Sequence, residues 1–455
     1  MKKALFIFRR DLRIHDNTAL NAANQQCDLV YPCFIFNPAQ TTQHQFFSSN
    51  GLCFLIEAIE DLGTQLTEAG GALNILHGNP LEVIGGCIKK LGITDLYVNK
   101  DYSPFSRERD RSIAELCQNL SVEFHSFSDA LLVEPSKFGK PGGGAYTIYT
   151  PFAKRASLEE IKRPFSVPLT KLTRDLIAHE DSITPRDLWP SYEAPHRRSH
   201  GTRSEALSIL DKISVFSKYK EERDFPSLDA TTILSPHNKF GTVSIREVYW
   251  KIVDQFGVGH TLIRELFWRD FFTHIAWHFP HVFRGAFHQR LDRLKWQYDD
   301  ELFEKWCSGT TGFPIVDAGM RELVATGYMH NRVRMIVASF LTKDLLIDWR
   351  KGEAFFARHL TEYDPAVNNG SWQWAASTGC DAQPYFRIFN PRLQQEKFDP
   401  DGSYIKKWVP ELRDTPAKLL HKLADDEATR PSNYPKPCVN HATQKVLATA
   451  LFKEV

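Results

Sequence analysis

Hydrophobic positions in the first part of the chain fall into short uninterrupted runs, separated by longer stretches in which apolar and polar residues mix. Five runs have the length and apolar character of strands buried on both faces: residues 4–8, 29–36, 72–76, 95–99 and 122–127. Four intervening stretches have helical periodicity: residues 18–23, 52–68, 80–91 and 105–117. This alternation predicts a doubly wound α/β domain with a parallel sheet.

The pattern changes after this domain. Residues 131–202 show no clear period, and the glycine-rich segment 139–144 lacks the Gly-Lys-Ser/Thr ending of a phosphate-binding loop. We therefore interpret residues 131–202 as a long crossover. The rest of the chain, residues 203–455, is predicted to be a large all-α domain. Its clearest helical periods are at residues 203–213, 245–256, 260–278, 299–308, 316–325, 332–349 and 351–360.

Composition and charge narrow the class of protein. Hydrophobic residues make up 42% of the chain and charged residues 24%, which are ordinary globular values and provide ample material for a core. The formal net charge is +1, so a polyanionic partner must be bound by a local basic patch. A histone-like protein is disfavoured.

Cysteine spacing and hydropathy indicate where in the cell the protein is expected. The eight cysteines are scattered without a CxxC pair, which favours reduced thiols over a disulfide framework or a zinc site. The apolar run before Arg9 is shorter than the core of a signal peptide, and no apolar stretch reaches about 18 residues. We expect a soluble, cytoplasmic protein without a membrane span.

One segment near the C-terminus combines acidic, amide and indole groups. Asp364, Asn368 and Asn369 are followed by Trp372 and Trp374. The i, i+2 spacing of the tryptophans cannot place both rings on one helix face. Amides within an aromatic segment need hydrogen-bond partners if they are buried. This chemistry favours a site for a polar, planar ligand over a simple core helix.

The third helix predicted in the all-α region carries two possible sites. His274 and His278 have the i, i+4 spacing of metal ligands and His281 is near, but no HExxH glutamate or cysteine pair accompanies them. Surface or capping histidines are favoured, and no metal is predicted. Glu265 and Trp268 share a helix face. Either the indole desolvates a proton-donating acid, or the helix is simply amphipathic.

A second polar cluster follows Met329. Asn331 and Met335 lie one helical turn apart, with Arg332 and Arg334 beside them. Arginines so close to an apolar face suit a phosphate or an internal carboxylate. The alternative is a solvated, charged turn.

A third cluster lies upstream, between Tyr219 and a helix predicted to begin near Ser244. Thr231, Thr232 and Ser235 offer hydroxyl and backbone N–H groups there. Loops of this kind, and helix N-termini, bind phosphate groups. A plain capped loop is equally compatible with the sequence.

Taken together, these clusters resemble the photolyase/cryptochrome family, and the resemblance covers essentially the whole chain. It includes residues 6–17 and 149–152 and is densest over residues 265–391. The family fold that it implies is an N-terminal α/β antenna domain, joined by a long crossover to a helical FAD-binding catalytic domain. The expected domain limits here are 1–130, 131–202 and 203–455.

The resemblance implies one non-covalently bound FAD. Tyr363 belongs to the implied set, and Glu362 and Asp364 would meet the ribose and ring edge. Asn368 would lie near flavin N5, and Arg334 would pair with Glu362. The family usually has Asp at the position of Glu362, so the longer side chain should keep the charge and alter the pair's geometry. The implied contacts around the phosphates and ribityl chain are Tyr219, Thr231, Thr232, Ile233, Leu234 and Ser235.

Within the family, the chain is most similar to class I photolyases, which repair cyclobutane pyrimidine dimers. The (6-4) photolyases have histidines at the positions of Asn331 and Met335, because their chemistry needs a histidine proton donor. A cryptochrome-type photoreceptor without repair activity and, less favoured, a (6-4) photolyase are the alternatives. The matching catalytic residues are Glu265, Trp268, Asn331, Met335 and Trp374.

The activity implied is light-dependent DNA repair. Excited reduced flavin would donate an electron to a dimer flipped out of the helix; the ring splits, and the electron returns. Trp268 and Trp374 would wall the pocket, Glu265 would hydrogen-bond the thymine, and Asn331 would orient it. The implied contacts to the DNA backbone and pocket rim are Arg223, Arg269, Arg332, Arg387 and Gln394.

Three further tryptophans match the family's electron-transfer chain, which carries electrons from the surface to the flavin. They are Trp372, Trp349 and Trp296. For any one of these rings taken alone, core packing is the alternative.

The identity of an antenna chromophore is left open. Folate-type photolyases carry an Asn-Glu pair where this chain has Phe105 and Ser106. A folate is therefore in doubt, a deazaflavin is not established, and an empty antenna site is also compatible. We expect a monomer whose partner is UV-damaged DNA, single- or double-stranded.

Overall fold

The computed structural model describes residues 1–42, 44–177, 182–189, 197–424 and 430–455. The N-terminal region contains the strands β1 (Lys3–Phe8), β2 (Leu29–Phe36), β3 (Asn74–His77), β4 (Asp95–Asn99) and β5 (Glu123–Phe127). They form one parallel sheet in the order β3-β2-β1-β4-β5. All five predicted strands are present, which confirms the predicted parallel sheet.

Helices cover both faces of this sheet. Along β1, Phe6 and Phe8 pack into a core with the helices that follow β1 and β2, whereas Leu5 and Ile7 pack on the opposite face with the helices that follow β3 and β4. Alternate side chains of a strand point to opposite faces, so continuous apolar runs suit a sheet buried on both sides. The helices are α1 (Thr18–Gln26), α2 (Pro38–Thr41), α3 (Ser49–Glu68), α4 (Pro80–Leu91) and α5 (Pro104–Asn119).

The predicted crossover contains a helix that the sequence did not indicate, α6 (Tyr149–Ala156). Eight residues are too few for a clear helical period. Residues 178–181 and 190–196 of the crossover lie outside the described residues.

The remainder of the described chain is mostly helical, as predicted. In chain order the helices are α7 (Arg203–Asp211), α8 (Tyr219–Glu222), α9 (Ser235–Phe240), α10 (Ile245–Phe256), α11 (Thr261–His278), α12 (Asp300–Ser308), α13 (Pro314–Thr326), α14 (Asn331–Ser339), α15 (Trp349–His359), α16 (Pro365–Ala376), α17 (Pro391–Phe398), α18 (Ser403–Trp408), α19 (Ala417–Leu420) and α20 (His441–Lys453).

The prediction of a single helix over residues 332–349 is wrong. Helix α14 ends at Ser339, and the chain then forms one turn of π-helix over Phe340–Asp344. Leu346 then adopts a φ of 55°, a left-handed conformation that interrupts the helical path. Asp348 caps α15 by accepting the N–H of Arg350 at 2.9 Å. Residue 349 therefore begins a new helix.

The two regions meet through buried charges and a close backbone contact. Arg246 of α10 donates to Asp16 and to Asp129 of the sheet region, each at 2.8 Å, and all three side chains are largely buried. The N–H of Leu12 donates to the carbonyl of Phe240 at 3.1 Å. Gly241 follows with a φ of 72°, and a Cβ there would lie 2.1 Å from a backbone oxygen of the sheet region. Only glycine permits this approach.

Candidate functional site

Helix α16 carries the acidic, amide and indole groups identified in the sequence. Asp364 is its N-cap and accepts hydrogen bonds from two backbone N–H groups of the first turn, at 3.0 and 3.1 Å. Trp372 is buried against Gly352 of α15, whereas Trp374 is half-buried. The two indoles enter different surroundings, as their spacing predicts.

The amide pair is tied to α15 through Glu353. Nδ2 of Asn368 donates to the backbone oxygen of Glu353 at 3.1 Å, and Nδ2 of Asn369 donates to its Oε1 at 3.0 Å. Burial raises the pKa of the Glu353 carboxyl to about 7. The side chain of Asn368 is thus held against the backbone of α15.

Arg334 and Glu362 form the ion pair that the resemblance implies. Nη2 of Arg334 donates to Oε1 of Glu362 at 2.5 Å. Glu362 is 8% exposed, and its Oε2 is buried without a hydrogen-bond partner. Leaving a buried carboxylate oxygen without a donor is unfavourable. This atom therefore marks a position where a ligand hydroxyl would complete the site.

The hydroxyl-rich loop lies beside this pair. The hydroxyls of Thr231 and Tyr328 are 3.2 Å apart, and the Arg334 guanidinium lies 5.6 Å from the centre of the Tyr328 ring. Ile233 has a φ of 52°, a strained conformation for a β-branched residue and one that recurs at ligand sites. Tyr328 is missing from the predicted set. Its position just before Met329 in the polar cluster is the signal that could have found it.

The other predicted cofactor residues near this loop and the pair differ in their surroundings. Tyr219 and Leu234 are buried, and the N–H of Leu234 donates to Oγ1 of Thr232 at 3.4 Å. Ser235 is exposed at the start of α9. Tyr363 stacks on a phenylalanine of the N-terminal region at 6.1 Å. The structure thus brings the predicted set together around the Arg334–Glu362 pair only in part, because Ser235 and Tyr363 have their own surroundings.

Asp364 has a partner that the sequence did not indicate. Its Oδ2 accepts a hydrogen bond from Arg10, which also donates to Asp101 at 3.1 Å. Although burial opposes ionisation, the cations Arg10, Lys239 and Arg269 hold the pKa of Asp364 below its usual value. Both carboxylate oxygens of Asp364 therefore already have protein partners.

Glu265 and Trp268 lie on α11 with different neighbours. Trp268 stacks on Tyr149 of α6, with ring centres 3.6 Å apart and planes at 6°. The Glu265 side chain is 32% exposed and accepts a hydrogen bond from Arg223. The hypothesis of an acid desolvated by the indole is therefore not supported, because a cation and solvent both reach this carboxyl.

Asn331 and Met335 share a face of α14, as predicted. Nδ2 of Asn331 lies 4.0 Å from Sδ of Met335. Arg332 donates to Asp224 at 2.8 Å and lies 4.4 Å from the centre of the Phe398 ring. This arginine therefore sits at the rim of the cluster and is already paired with a carboxylate.

The residues expected at DNA divide into two groups. Arg387 is exposed and Gln394 half-buried, so both are accessible to a large partner. Arg269 does not fit the expectation: its guanidinium donates to the backbone oxygens of Ala130 at 2.6 Å and Asn238 at 3.1 Å, and its side chain is 14% exposed. It connects the end of the N-terminal region to the helical region, and little of its side chain is accessible to DNA.

The three tryptophans of the expected electron-transfer chain are all buried. Trp349 and Trp372 are each 2% exposed, and Trp372 packs on Gly352, one helical turn beyond Trp349. Trp296, the expected surface end, is 7% exposed because Phe452 of α20 packs against it at 6.0 Å. The structure also places Trp306 at 6.1 Å from Trp372.

The histidines of α11 make ordinary structural contacts. His274 and His278 have ring centres 4.5 Å apart, and Nε2 of His274 accepts the N–H of Tyr146 at 3.2 Å. Burial lowers the pKa of His274 to about 3. No group of three metal-binding side chains is found in the described part of the chain.

Comparison with protein families settles the class. Residues 4–169 match the family model of DNA photolyase, and residues 262–454 match that of the FAD-binding domain of DNA photolyase. The chain belongs to the DNA photolyase family. The prediction of a photolyase-type flavoenzyme with FAD as cofactor is thereby confirmed. The buried, unpartnered Oε2 of Glu362 is consistent with this cofactor.

Relatives resemble the chain along its full length. A deoxyribodipyrimidine photo-lyase of Alkalihalophilus pseudofirmus is 35% identical over 98% of this chain and 97% of the relative. The crystal structure of an archaeal photolyase from Sulfolobus tokodaii with two FAD molecules is 39% identical, covers 100% of both chains and has a TM-score of 0.88. The crystal structure of a Synechocystis cryptochrome is 29% identical, covers 99% of both chains and has a TM-score of 0.91.

Two further expectations concern the antenna and the membrane. Phe105 is 49% exposed, and Oγ of Ser106 donates to Asp101 at 2.9 Å, so these positions offer none of the polar groups of an Asn-Glu pair.

Across the described ranges, no helix has the length and apolar character needed to span a bilayer.

Proposed function

We propose that the protein repairs cyclobutane pyrimidine dimers in DNA, in a light-dependent reaction that uses reduced FAD. The observation that carries the proposal is the contact between Asn331 and Met335, 4.0 Å apart on α14. An amide and a thioether cannot donate the proton that the chemistry of (6-4) repair requires. They suit a pocket that orients an intact dimer.

FAD would be held chiefly by the Arg334–Glu362 pair, the loop around Thr231 and Ile233, and the amide of Asn368. The lone pairs of Glu362 Oε2 would receive a ligand hydroxyl, and Oδ1 of Asn368 would face the ring. When bound in its reduced form, the cofactor supplies the electron that light drives to the dimer. The protein's part is to hold both partners close and to exclude water.

The lesion would be bound between the rings of Trp268 and Trp374. Glu265 would hydrogen-bond a flipped-out base, with Arg223 keeping its carboxylate in place. Exposed Arg387 and the rim residue Arg332 would contact phosphates, so binding should weaken as salt concentration rises. We propose that the protein binds DNA as a monomer.

Trp372, Trp349 and Trp296 would conduct electrons to the cofactor. Support comes from the packing of Trp372 on the first turn of α15, which starts at Trp349. Three buried indoles in one core also pack well without conducting electrons, so only their substitution separates the two roles.

One experiment tests the main proposal. The purified protein is loaded with FAD and reduced, and dimers in irradiated oligonucleotides are counted after exposure to light or darkness. We expect loss of dimers in the light only. Full retention of dimers, with the flavin demonstrably reduced, would refute the proposal.

A blue-light photoreceptor without repair activity is the second candidate, favoured by the likeness to the Synechocystis cryptochrome. Such a protein would bind FAD and respond to light but leave dimers intact. A protein that bound damaged DNA identically in light and darkness, without repair, would belong to neither class.

A further inference from the structure

Tyr149 contacts Trp268, one expected wall of the lesion pocket. Its ring lies parallel to the indole at 3.6 Å, and its hydroxyl donates to the backbone oxygen of Arg264 at 2.7 Å. Both the face of the tyrosine ring and its hydroxyl group are therefore held by α11. Such a stack restricts the rotation of Trp268.

Asp381 connects this stack to the opposite wall. Its Oδ2 accepts the N–H of Tyr149 at 2.9 Å. Asp381 also lines a small, largely apolar groove together with Trp374 and Phe272. The chain near it is held to Trp374, because the N–H of Gln383 donates to the Trp374 carbonyl at 3.1 Å.

We propose that Asp381 and Tyr149 act as positioning residues that fix the separation of the Trp268 and Trp374 rings, and so set the preference for a pyrimidine dimer over undamaged bases. This inference rests on the proposed function, in which those two rings enclose the lesion. A pocket held at the width of its ligand loses less conformational freedom on binding. Neither residue needs to touch the dimer.

A purely structural role for Asp381 makes a different prediction. Helix α6 has no side-chain N-cap of its own, so Asp381 also serves as its cap from a distant part of the chain. Loss of a cap lowers stability, but it does not by itself alter selectivity. Asn79→Ala, which removes the cap of α4 in the N-terminal region, is the matched control.

The test uses the FAD-loaded full chain and two oligonucleotides, one with a single cyclobutane thymine dimer and one undamaged. We expect Asp381→Ala to raise the Kd for the dimer roughly three- to tenfold and to leave the Kd for undamaged DNA unchanged. Asp381→Asn keeps an acceptor for the Tyr149 N–H and should retain the parental selectivity for the dimer. Tyr149→Leu should lose it, while Tyr149→Phe keeps most of it because the stack remains.

The outcomes separate this inference from the function beneath it. Trp268→Ala and Trp374→Ala must each lower selectivity for the dimer; if they do not, the proposed pocket itself is wrong. If they do, and Asp381→Ala keeps the parental selectivity, the positioning role alone is overturned. Equal losses in Asp381→Ala and Asn79→Ala would also overturn it, because stability would then account for both. Thermal unfolding and FAD content are measured for every variant.

Discussion

Arg223 donates a hydrogen bond to Oε1 of Glu265, and the pair joins the end of α8 to α11. Beside it, Arg332 donates to Asp224 at 2.8 Å. Two arginines expected to bind DNA are thus engaged with carboxylates in the protein alone. The first of these contacts holds the Glu265 side chain in one orientation at the proposed lesion pocket.

Glu265→Ala should lower dimer repair by reduced enzyme while leaving FAD bound. The variant loses a hydrogen-bonding group at the base and releases Arg223, and a hydrogen bond to a charged group is worth enough for roughly a tenfold effect. Repair by the Glu265→Gln variant, which keeps the acceptor without the charge, should be intermediate between that of the parent and that of the Ala variant. Repair per absorbed photon is the measurement, and parental repair by the Ala variant would contradict the assigned role.

Trp349→Phe should block light-driven reduction of the flavin and spare repair by chemically reduced enzyme. Phenylalanine fills much of the space but is far harder to oxidise than an indole, so electron flow should stop at Trp372. Trp306→Phe is the matched control, since Trp306 is equally buried and lies 6.1 Å from Trp372. Flavin absorbance during illumination with a thiol reductant gives the result. Equal loss in both variants would mean that the assigned path is wrong.

The sheet and most helices could be predicted because their signals are local. Uninterrupted apolar runs suffice for strands buried on both faces, and α10 begins at a residue capped by Ser244 as its sequence indicates. The break between α14 and α15 escaped prediction because Leu346 adopts its left-handed conformation without a neighbouring glycine or proline. Tertiary contacts, including the buried turn before it, impose that conformation.

Contacts between distant segments could not be predicted in the site either. Arg269 has the chemistry of a DNA contact, but its acceptors, Ala130 and Asn238, come from elsewhere in the chain. Asp364 is likewise engaged by Arg10, more than 300 positions away. The Arg334–Glu362 pair was expected only through the family resemblance, since no local pattern links its members.

Asp270→Asn should flatten the pH dependence of stability. Asp270 is fully buried, and burial raises its pKa to about 7 from 3.8, although Arg269 opposes the shift. The native state therefore keeps this proton when the unfolded chain has lost it, so the free energy of unfolding falls as pH rises through this interval. Asparagine cannot ionise but can still accept the N–H groups of Leu132 and Val133.

Across this pH interval, the free energy of unfolding of the parent should fall by at most about 4 kcal/mol more than that of the variant. Chemical denaturation of parent and variant at several pH values between 4 and 7 measures it. A slope unchanged by the substitution would show that Asp270 does not titrate in this range.

Glu362→Ala should weaken FAD binding roughly ten- to a hundredfold, because it leaves Arg334 without its counter-ion and removes the buried Oε2 that lacks a protein donor. Glu362→Asp keeps the charge and supplies the residue usual in the family, so its affinity should stay within about threefold of the parent. Titration of apoprotein with FAD, followed by flavin fluorescence, gives both constants. If the Ala variant bound FAD as tightly as the parent, the unpartnered oxygen would not belong to the cofactor site. Unfolding of each apoprotein separates lost affinity from lost stability.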